Sequence, residues 1–257
     1  MEVWIEIIVC VAASLGAGLG TGFAGMSAAA VISPMLITFL GVPAYQAIGI
    51  ALASDVLASA ISAYVYGKNK NLDIKNGLLL LASVMLFTYL GSFVSSKTSN
   101  DGLGLISVFM TLVLGLRFLI DPYPHRGRKA VHSSETAKIV KTLLGGAIIG
   151  FICGFVGAGG GMMMLIVLTV VLGYELKTAV GTSVFVMAFT AFTGAVSHFV
   201  IGGVYDWFLL GLCVLLTCLF AQLASLLANR VSEVTQKRFT GGVLTALGMA
   251  MVLFKFI

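Results

Sequence analysis

The segment Gly154-Phe-Val-Gly-Ala-Gly-Gly-Gly161 interrupts an otherwise almost continuous apolar sequence with a run of glycines. A weaker copy, Gly22-Phe-Ala-Gly-Met-Ser-Ala-Ala29, precedes it at an offset of 132 positions. The same offset aligns further small residues: Gly41 with Gly173, Ala47 with Ala179 and Gly49 with Gly181. A single offset that matches this many small residues indicates an internal repeat, in which glycine interrupts each half of the chain at the corresponding position.

The composition restricts the chain to one structural class. Hydrophobic residues make up 59% of the 257 residues and charged residues only 10%, whereas soluble domains carry roughly 25% charged residues. The apolar segments are continuous rather than alternating, which excludes a transmembrane β-barrel. We therefore predict an all-α polytopic membrane protein that is surrounded by membrane lipid. The net charge of +5 indicates no nucleic-acid partner, because the basic residues lie in short loops, where they act as orientation signals.

The hydropathy pattern divides the chain into ten apolar segments in two groups of five. The longest polar stretch, Asp121 to Lys138, separates a first repeat half (1–120) from a second repeat half (139–257), with 121–138 as a cytoplasmic linker. The predicted segments are 3–20, 27–40, 45–66, 76–95, 102–120, 139–156, 161–173, 178–201, 207–228 and 238–257.

The second segment of each half, 27–40 or 161–173, is too short to cross a membrane as a helix. Fourteen helical residues rise about 21 Å, whereas the hydrocarbon core is about 30 Å thick. We therefore predict a broken half-helix in each half, starting at Met26–Ser27 and at Ala158–Gly161. Irregular backbone at that depth has to be buried in protein or to line a wet cavity.

The distribution of Lys and Arg predicts how the two halves are oriented. These residues concentrate in the loops 67–75, 121–141 and 229–238, which we predict to be cytoplasmic, whereas 1–6 and 202–206 carry none and should be outside. Ten crossings satisfy these assignments and place both termini outside. Because the repeat offset matches a basic loop with a non-basic one, the two halves are predicted to be inverted repeats.

The two glycine breaks form the predicted binding site. Inverted half-helices can point their N-termini at each other near mid-membrane, where unpaired N–H groups and the helix dipoles attract an anion. Glycine would let an oxyanion touch the backbone, and nearby hydroxyl groups could donate hydrogen bonds to it. The alternative is that the small residues only permit close helix packing. The predicted substrate-binding residues are Gly25, Ser27, Gly157, Gly159, Gly160, Gly161, Thr182 and Ser183.

Asp55 lies midway along the third apolar segment and is the only acidic residue between Glu6 and Asp73. An intramembrane carboxyl group is costly and is by default functional. An ionised carboxylate would repel an anionic substrate, and protonation would remove that conflict. We therefore predict that Asp55 is the coupling residue of a proton-linked process. The alternative is that it faces a polar loop because the helix is shorter than predicted.

The cysteines and His198 indicate neither a metal site nor a cofactor. Cys10, Cys153, Cys213 and Cys218 lie inside apolar segments without the spacing of a metal or redox motif, and we interpret them as small buried hydrophobic residues. No metal site and no cofactor is predicted. His198, near the end of its segment, is interpreted as an interfacial histidine, with titration near neutral pH as the alternative.

The Gly154–Gly161 motif, the short apolar segment after it, Gly181-Thr182-Ser183 and the twofold repetition resemble the TauE/SafE sulfite-exporter family over about 15–257. In the first half, Ser27-Ala28-Ala29 and Gly49-Ile50-Ala51 replace the family's Gly-Gly-Gly and Gly-Thr-Ser. The resemblance there rests on Gly22, Phe23, Gly25, Pro34 and Gly49. The resemblance implies export or exchange of sulfur oxyanions or small organosulfonates.

These features predict a secondary transporter of the cytoplasmic membrane, not an enzyme, that carries sulfite or a small organosulfonate by alternating access. An intramembrane enzyme of the polyprenyl-pyrophosphate phosphatase type would need an acidic cluster and an Arg-rich phosphate motif, and Asp55 stands alone. An anion channel is a further alternative, although no filter-like sequence or ring of charges is visible. The sequence has no P-loop for ATP-driven transport.

Overall fold

A computed structural model describes residues 3–120, 135–156, 161, 164, 165, 167–171, 174–204, 206–228 and 230–256. In these ranges the chain is helical and forms no strand. One element is a short π-helical segment, Val167–Val171. The α-helices are α1 (Val3–Ala24), α2 (Ala29–Leu40), α3 (Ala44–Lys68), α4 (Ile74–Ser95), α5 (Asn100–Ile120), α6 (Glu135–Val156), α7 (Leu176–Gly202), α8 (Trp207–Ala228) and α9 (Glu233–Phe256).

The observed helices confirm a polytopic helical membrane protein. Within the described ranges, α1, α3, α4, α7 and α8 are long and apolar enough to cross a bilayer. Large apolar side chains face outward on the helices, as on Leu86 (60% exposed), Phe109 (66%) and Leu215 (69%). Outward-facing side chains of this kind suit a lipid environment. The full count of ten crossings and the inverted orientation of the halves stay predictions, as does the division at 121–138.

The second helix is short, as the sequence predicts. α2 has 12 residues and therefore rises about 18 Å, far less than a hydrocarbon core of about 30 Å. It begins at Ala29, two residues after the predicted start. Most of its side chains are buried, because α2 is enclosed by α1, α3 and α5. Of the corresponding segment of the second half, 161–173, the structure describes residues 161, 164, 165 and 167–171, and the last five form the π-helical segment.

Glycines in the left-handed conformation end the two helices on either side of the first break. Gly25 has φ +61° and follows α1, and Gly41 has φ +64° and follows α2. Glycine adopts this conformation without the steric cost of a Cβ atom. A side chain caps the start of α4, since the Asp73 carboxylate accepts a hydrogen bond from the Asn76 N–H at 3.1 Å. The breaks are therefore encoded by local backbone chemistry.

Close packing of glycine joins helices from the two halves. α4 lies against α6, α1 lies against α8, and α3 lies against α7. A side chain at Gly154 would collide with Thr88 O, and one at Gly22 would come within 2.7 Å of Ala221 O. At Gly22 and Gly154 the packing interpretation of the small residues is therefore correct.

The cysteine interpretation agrees with the structure. Cys10, Cys153 and Cys213 are buried, and Cys218 is partly buried.

Candidate functional site

Gly25, in the first break, and Gly161, at the end of the second glycine motif, lie close together in the interior of the protein. Ser183 Oγ, on α7, lies 3.2 Å from Gly25 O and 3.4 Å from Gly161 O. A side chain on Gly161 would collide with Gly25 O and would come within 2.8 Å of Met187 Sδ and 2.9 Å of Met26 Cα. Ser183 itself is fully buried. Gly25, Gly161 and Ser183, three of the predicted site residues, are thus brought together from distant parts of the sequence.

A carboxyl group of the protein itself occupies the N-terminus of α2. Ser27 Oγ donates to Asp55 Oδ2 at 2.7 Å, and Ser59 Oγ donates to Asp55 Oδ1 at 2.8 Å. The Ala28 N–H also hydrogen-bonds this carboxyl group. The Ala29 N–H donates to Ser27 Oγ at 3.3 Å. Asp55 and Ser27 therefore cap the half-helix together.

This arrangement has two consequences for the sequence-based interpretation. Asp55 is fully buried in the middle of α3, so the helix is not shorter than predicted, and its carboxyl group contacts the irregular segment between α1 and α2. The N-terminus of a helix favours an anion, and here the anion-binding position is filled by a side chain of α3. A substrate oxyanion cannot use the same N–H groups at the same time.

The other predicted site residues divide into two groups. Thr182 is buried next to Ser183 in sequence, but its Oγ1 accepts a hydrogen bond from the Asp73 N–H at 3.0 Å, so it holds the loop between α3 and α4. Gly157, Gly159 and Gly160 lie outside the described residues.

The Asp73 carboxylate, close to Thr182, accepts several hydrogen bonds in this loop. The Tyr174 hydroxyl and the Asn76 side chain both donate to it. Donation by Tyr174, and then by Asn76, holds the pKa of Asp73 below its usual value against the effect of its partial burial. The loop is therefore fixed by an ionised carboxylate.

Two residues outside the predicted site hold the ends of the glycine motifs. Tyr66 Oη donates to Gly22 O at 3.1 Å. His198 Nε2 lies 3.0 Å from Gly154 O, and His198 Nδ1 lies 3.0 Å from Tyr45 O. His198 is only 1% exposed, because the Tyr45 ring, 4.1 Å away between centroids, covers it; its position at the membrane interface stays a prediction. The equivalence of these two contacts could have been predicted from the sequence, because the offset of 132 positions aligns Tyr66 with His198 and Gly22 with Gly154.

Apolar helices of membrane-spanning length that enclose buried polar groups are features of a polytopic membrane protein, and comparison with known proteins supports the class of membrane transporter. The chain belongs to the sulfite exporter TauE/SafE family, whose model matches residues 10–251. It is 27% identical over 203 residues to the probable membrane transporter protein YunE of Bacillus subtilis (strain 168). The aligned region covers 74% of this chain and 74% of the relative. It is 23% identical over 220 residues to the probable membrane transporter protein YdhB of the same organism, over 86% of this chain and 89% of the relative. No solved structure matches the chain.

Proposed function

We propose that this protein is a secondary transporter of the cytoplasmic membrane that moves sulfite or a small organosulfonate by alternating access. The observation that carries the proposal is the contact of the two breaks at Ser183, 3.2 Å from Gly25 O and 3.4 Å from Gly161 O. Discontinuous helices that meet inside the protein are the usual place for substrate in transporters built from repeats. Membership of a family described as sulfite exporters supports the choice of a sulfur oxyanion.

Equivalent hydrogen bonds within the two halves support an internal structural repeat. Tyr66 Oη binds Gly22 O, and His198 Nε2 lies at Gly154 O. The offset of 132 that relates the glycine motifs transforms the first pair into the second. Each donor lies in the third helix of its half and each acceptor in the first helix of its half.

Equivalent close contacts between the halves support the same arrangement. A Cβ atom on Gly49 would lie 3.2 Å from His198 Cβ, and one on Gly181 would lie 2.9 Å from Tyr66 Cβ. The offset exchanges these two pairs as well. Contacts that exchange when the halves are exchanged are expected from a pseudo-twofold axis, which is the geometric basis of alternating access.

The position of Asp55 suggests how a proton is coupled to the anion. While Asp55 is ionised, its carboxylate fills the N-terminus of α2 and repels a second anion. Protonation keeps hydrogen bonds with Ser27 and Ser59 available but removes the charge. We therefore propose that Asp55 is protonated when the substrate is bound.

Ligand-induced thermal stabilisation tests the proposed substrate. Purified protein in detergent is titrated with sulfite, thiosulfate, a short alkanesulfonate, and chloride as the control. A ligand at 100 times its Kd should stabilise the native state by about 2.7 kcal/mol, and we expect this from a sulfur-containing anion but not from chloride. Sulfur anions that neither shift the thermal midpoint nor move across the bilayer of proteoliposomes would contradict the proposal.

A matched pair of serine variants on α7 tests the proposed site. Ser183→Ala removes the hydroxyl between the two breaks and should abolish the stabilisation by the bound anion. Ser197→Ala removes a hydroxyl that bonds only locally, 2.7 Å from Thr193 O, and should keep that stabilisation. Equal responses from the two variants would show that Ser183 does not contribute to binding.

Proteoliposome flux tests the coupling and separates a transporter from a channel. Asp55→Asn keeps the shape of the side chain and removes its charge, so anion binding should be kept or tightened while the response of flux to a pH gradient is lost. A short alkanesulfonate is the suitable probe, because it stays singly charged as the pH changes. Counterflow driven by unlabelled substrate is expected of a transporter and not of a channel. An Asp55→Asn protein that responds to the gradient like the wild type rules out coupling through Asp55.

A further inference from the structure

Both ring nitrogens of His198 point at main-chain carbonyl oxygens. Nδ1 lies 3.0 Å from Tyr45 O at the start of α3, and Nε2 lies 3.0 Å from Gly154 O in the last turn of α6. His198 itself belongs to α7, so one side chain connects three helices. It is buried, at 1% exposure.

Carbonyl oxygens accept hydrogen bonds and cannot donate them, and this restricts the state of the ring. A neutral imidazole carries one N–H group, so its other nitrogen would turn a lone pair toward a carbonyl oxygen 3.0 Å away. An imidazolium donates to both oxygens. Only the protonated ring therefore makes two favourable contacts in this geometry.

We propose that His198 is a proton-binding site at the second glycine break, where an imidazolium held between Tyr45 O and Gly154 O fixes the end of α6 to α3. Release of the proton replaces one of the two hydrogen bonds by a repulsive contact. That change loosens the attachment of the segment that leads into the Gly154–Gly161 motif.

An aromatic ring, rather than a carboxylate, is positioned to stabilise a positive charge on His198. The Tyr45 ring stacks on the imidazole with centroids 4.1 Å apart and planes inclined by 29°, and the face of an aromatic ring attracts a cation. The Tyr45 hydroxyl points away, 3.4 Å from Ser92 O on α4.

The charged and titratable groups on the neighbouring helices are distant or do not bond the ring. Among the described residues, no carboxylate hydrogen-bonds the imidazole. On α3, Asp55 is ten residues from Tyr45, about 15 Å along the helix. On α6, Cys153 is next to Gly154 and is buried. On α4, Tyr89 is exposed. Near the end of α7, the Asp206 carboxylate accepts from the Phe208 N–H as the cap of α8.

Three charged groups lie at helix ends: Lys97 beyond α4, and Glu175 and Lys177 at the opposite end of α7.

The first half provides a natural comparison. Tyr66 occupies the equivalent position and donates a single hydrogen bond to Gly22 O at 3.1 Å. A phenol keeps its hydrogen throughout the physiological pH range, because its ordinary pKa is about 10. One break is therefore held by a fixed donor and the other by a donor that responds to pH. The role of this difference in gating rests on the proposed transport function, whereas protonation of His198 does not.

Nitrogen NMR of a protein that retains only this histidine tests the proposal directly. The sequence contains three histidines, His125, His132 and His198, so a His125→Gln, His132→Gln double variant leaves His198 as the only labelled ring. In detergent and without substrate, we expect both ring nitrogens to carry hydrogen at the acid end of a titration over about pH 5 to 8. A single neutral tautomer throughout that range would overturn the proposal.

Exchange of the two donors provides the second measurement. His198→Tyr places in the second half the residue that the first half has at the equivalent position. As the pH rises, the thermal midpoint of the wild type should fall, whereas that of His198→Tyr should not fall with it. Tyr66→His copies the second half into the first and should add a second titrating ring to the NMR spectrum. If His198→Tyr keeps the pH dependence of the wild-type midpoint, His198 is not the switch. Because neither measurement requires a transported substrate, failure here is distinguishable from failure of the proposed transport function.

Discussion

Replacement of Gly161 by alanine tests whether contact between the two breaks is needed for stability and for ligand binding. The new Cβ atom would collide with Gly25 O and would lie 2.9 Å from Met26 Cα and 2.8 Å from Met187 Sδ. The methionine can rotate away at little cost. The two backbone atoms are held in place, because the Gly25 and Met26 N–H groups donate to carbonyl oxygens of α1 at 3.0 and 3.1 Å.

The magnitude follows from two opposing effects. Alanine is favoured over glycine in a helix by about 1 kcal/mol, whereas overpacking of a close-packed interior costs typically about 1–3 kcal/mol. Contact with backbone on two sides places Gly161→Ala at the upper part of that range, so we expect a net loss of about 1–2 kcal/mol. For a chain of this size each kcal/mol lowers the thermal midpoint by about 2–4 °C.

The assay is thermal unfolding in detergent, with and without sulfite. Gly211→Ala is the matched control, because Gly211 lies within α8 and has no atom within 4 Å of an added Cβ. We expect the control to be at least as stable as the wild type and to keep any stabilisation by sulfite. Gly161→Ala should lose both stability and that stabilisation. If Gly161→Ala is as stable as Gly211→Ala, the two breaks do not touch as described.

Three further substitutions give separate expectations. Gly25→Ala should lower the free energy of unfolding by about 1–2 kcal/mol, because φ +61° is costly for a residue with a Cβ atom. Thermal unfolding of the variant and the wild type measures this loss. Tyr66→Phe should cost about 0.5–1.5 kcal/mol through loss of the hydrogen bond to Gly22 O, with no dependence on pH between about 5 and 8; a pH-dependent loss would contradict the assignment of a fixed donor. Asp73→Asn should flatten the loss of stability in acid. The pKa of Asp73 is lowered in the folded protein, so its contribution is present above the ordinary value near 3.9 and is lost as the pH falls through the lowered one. An unchanged acid limb of the stability profile would contradict this.

The helices could be predicted from the sequence because the length and continuity of apolar segments determine them. Segment 207–228 is observed as Trp207–Ala228, and the short α2 follows from a 14-residue apolar run between glycines. Burial of the irregular segment between α1 and α2 also followed, since irregular backbone in a membrane interior must be buried or line a cavity. Local rules and the bilayer thickness are sufficient for these features.

The partners of the buried polar side chains could not be predicted, because they depend on how each helix is rotated about its axis. On α3, Asp55, Ser59 and Ser62 follow helical spacing and form a polar face, but the spacing does not indicate which neighbouring segment that face contacts. The hydrogen bond of Asp55 with Ser59, four residues on, agrees with this spacing, whereas its hydrogen bond with Ser27 appears only in the structure. Burial of His198 is a similar case, because it requires Tyr45 from another helix to cover a residue near a helix end.

The departures of the first half from the glycine-rich pattern have a physical explanation in the residues around Asp55. Ser27 stands where the second half has Gly159, and its hydroxyl both accepts from the Ala29 N–H and donates to Asp55. The repeat-equivalent position of Asp55 is Met187, which lies beside Gly161 and brings no charge. Two helix N-termini that approach each other would both attract anions. A carboxyl group of the protein fills the anion position at the first of them, so the proposed substrate anion would bind at the second. The asymmetry of the two halves therefore fits the proposed exchange of a single small anion, with Asp55 protonated while that anion is bound.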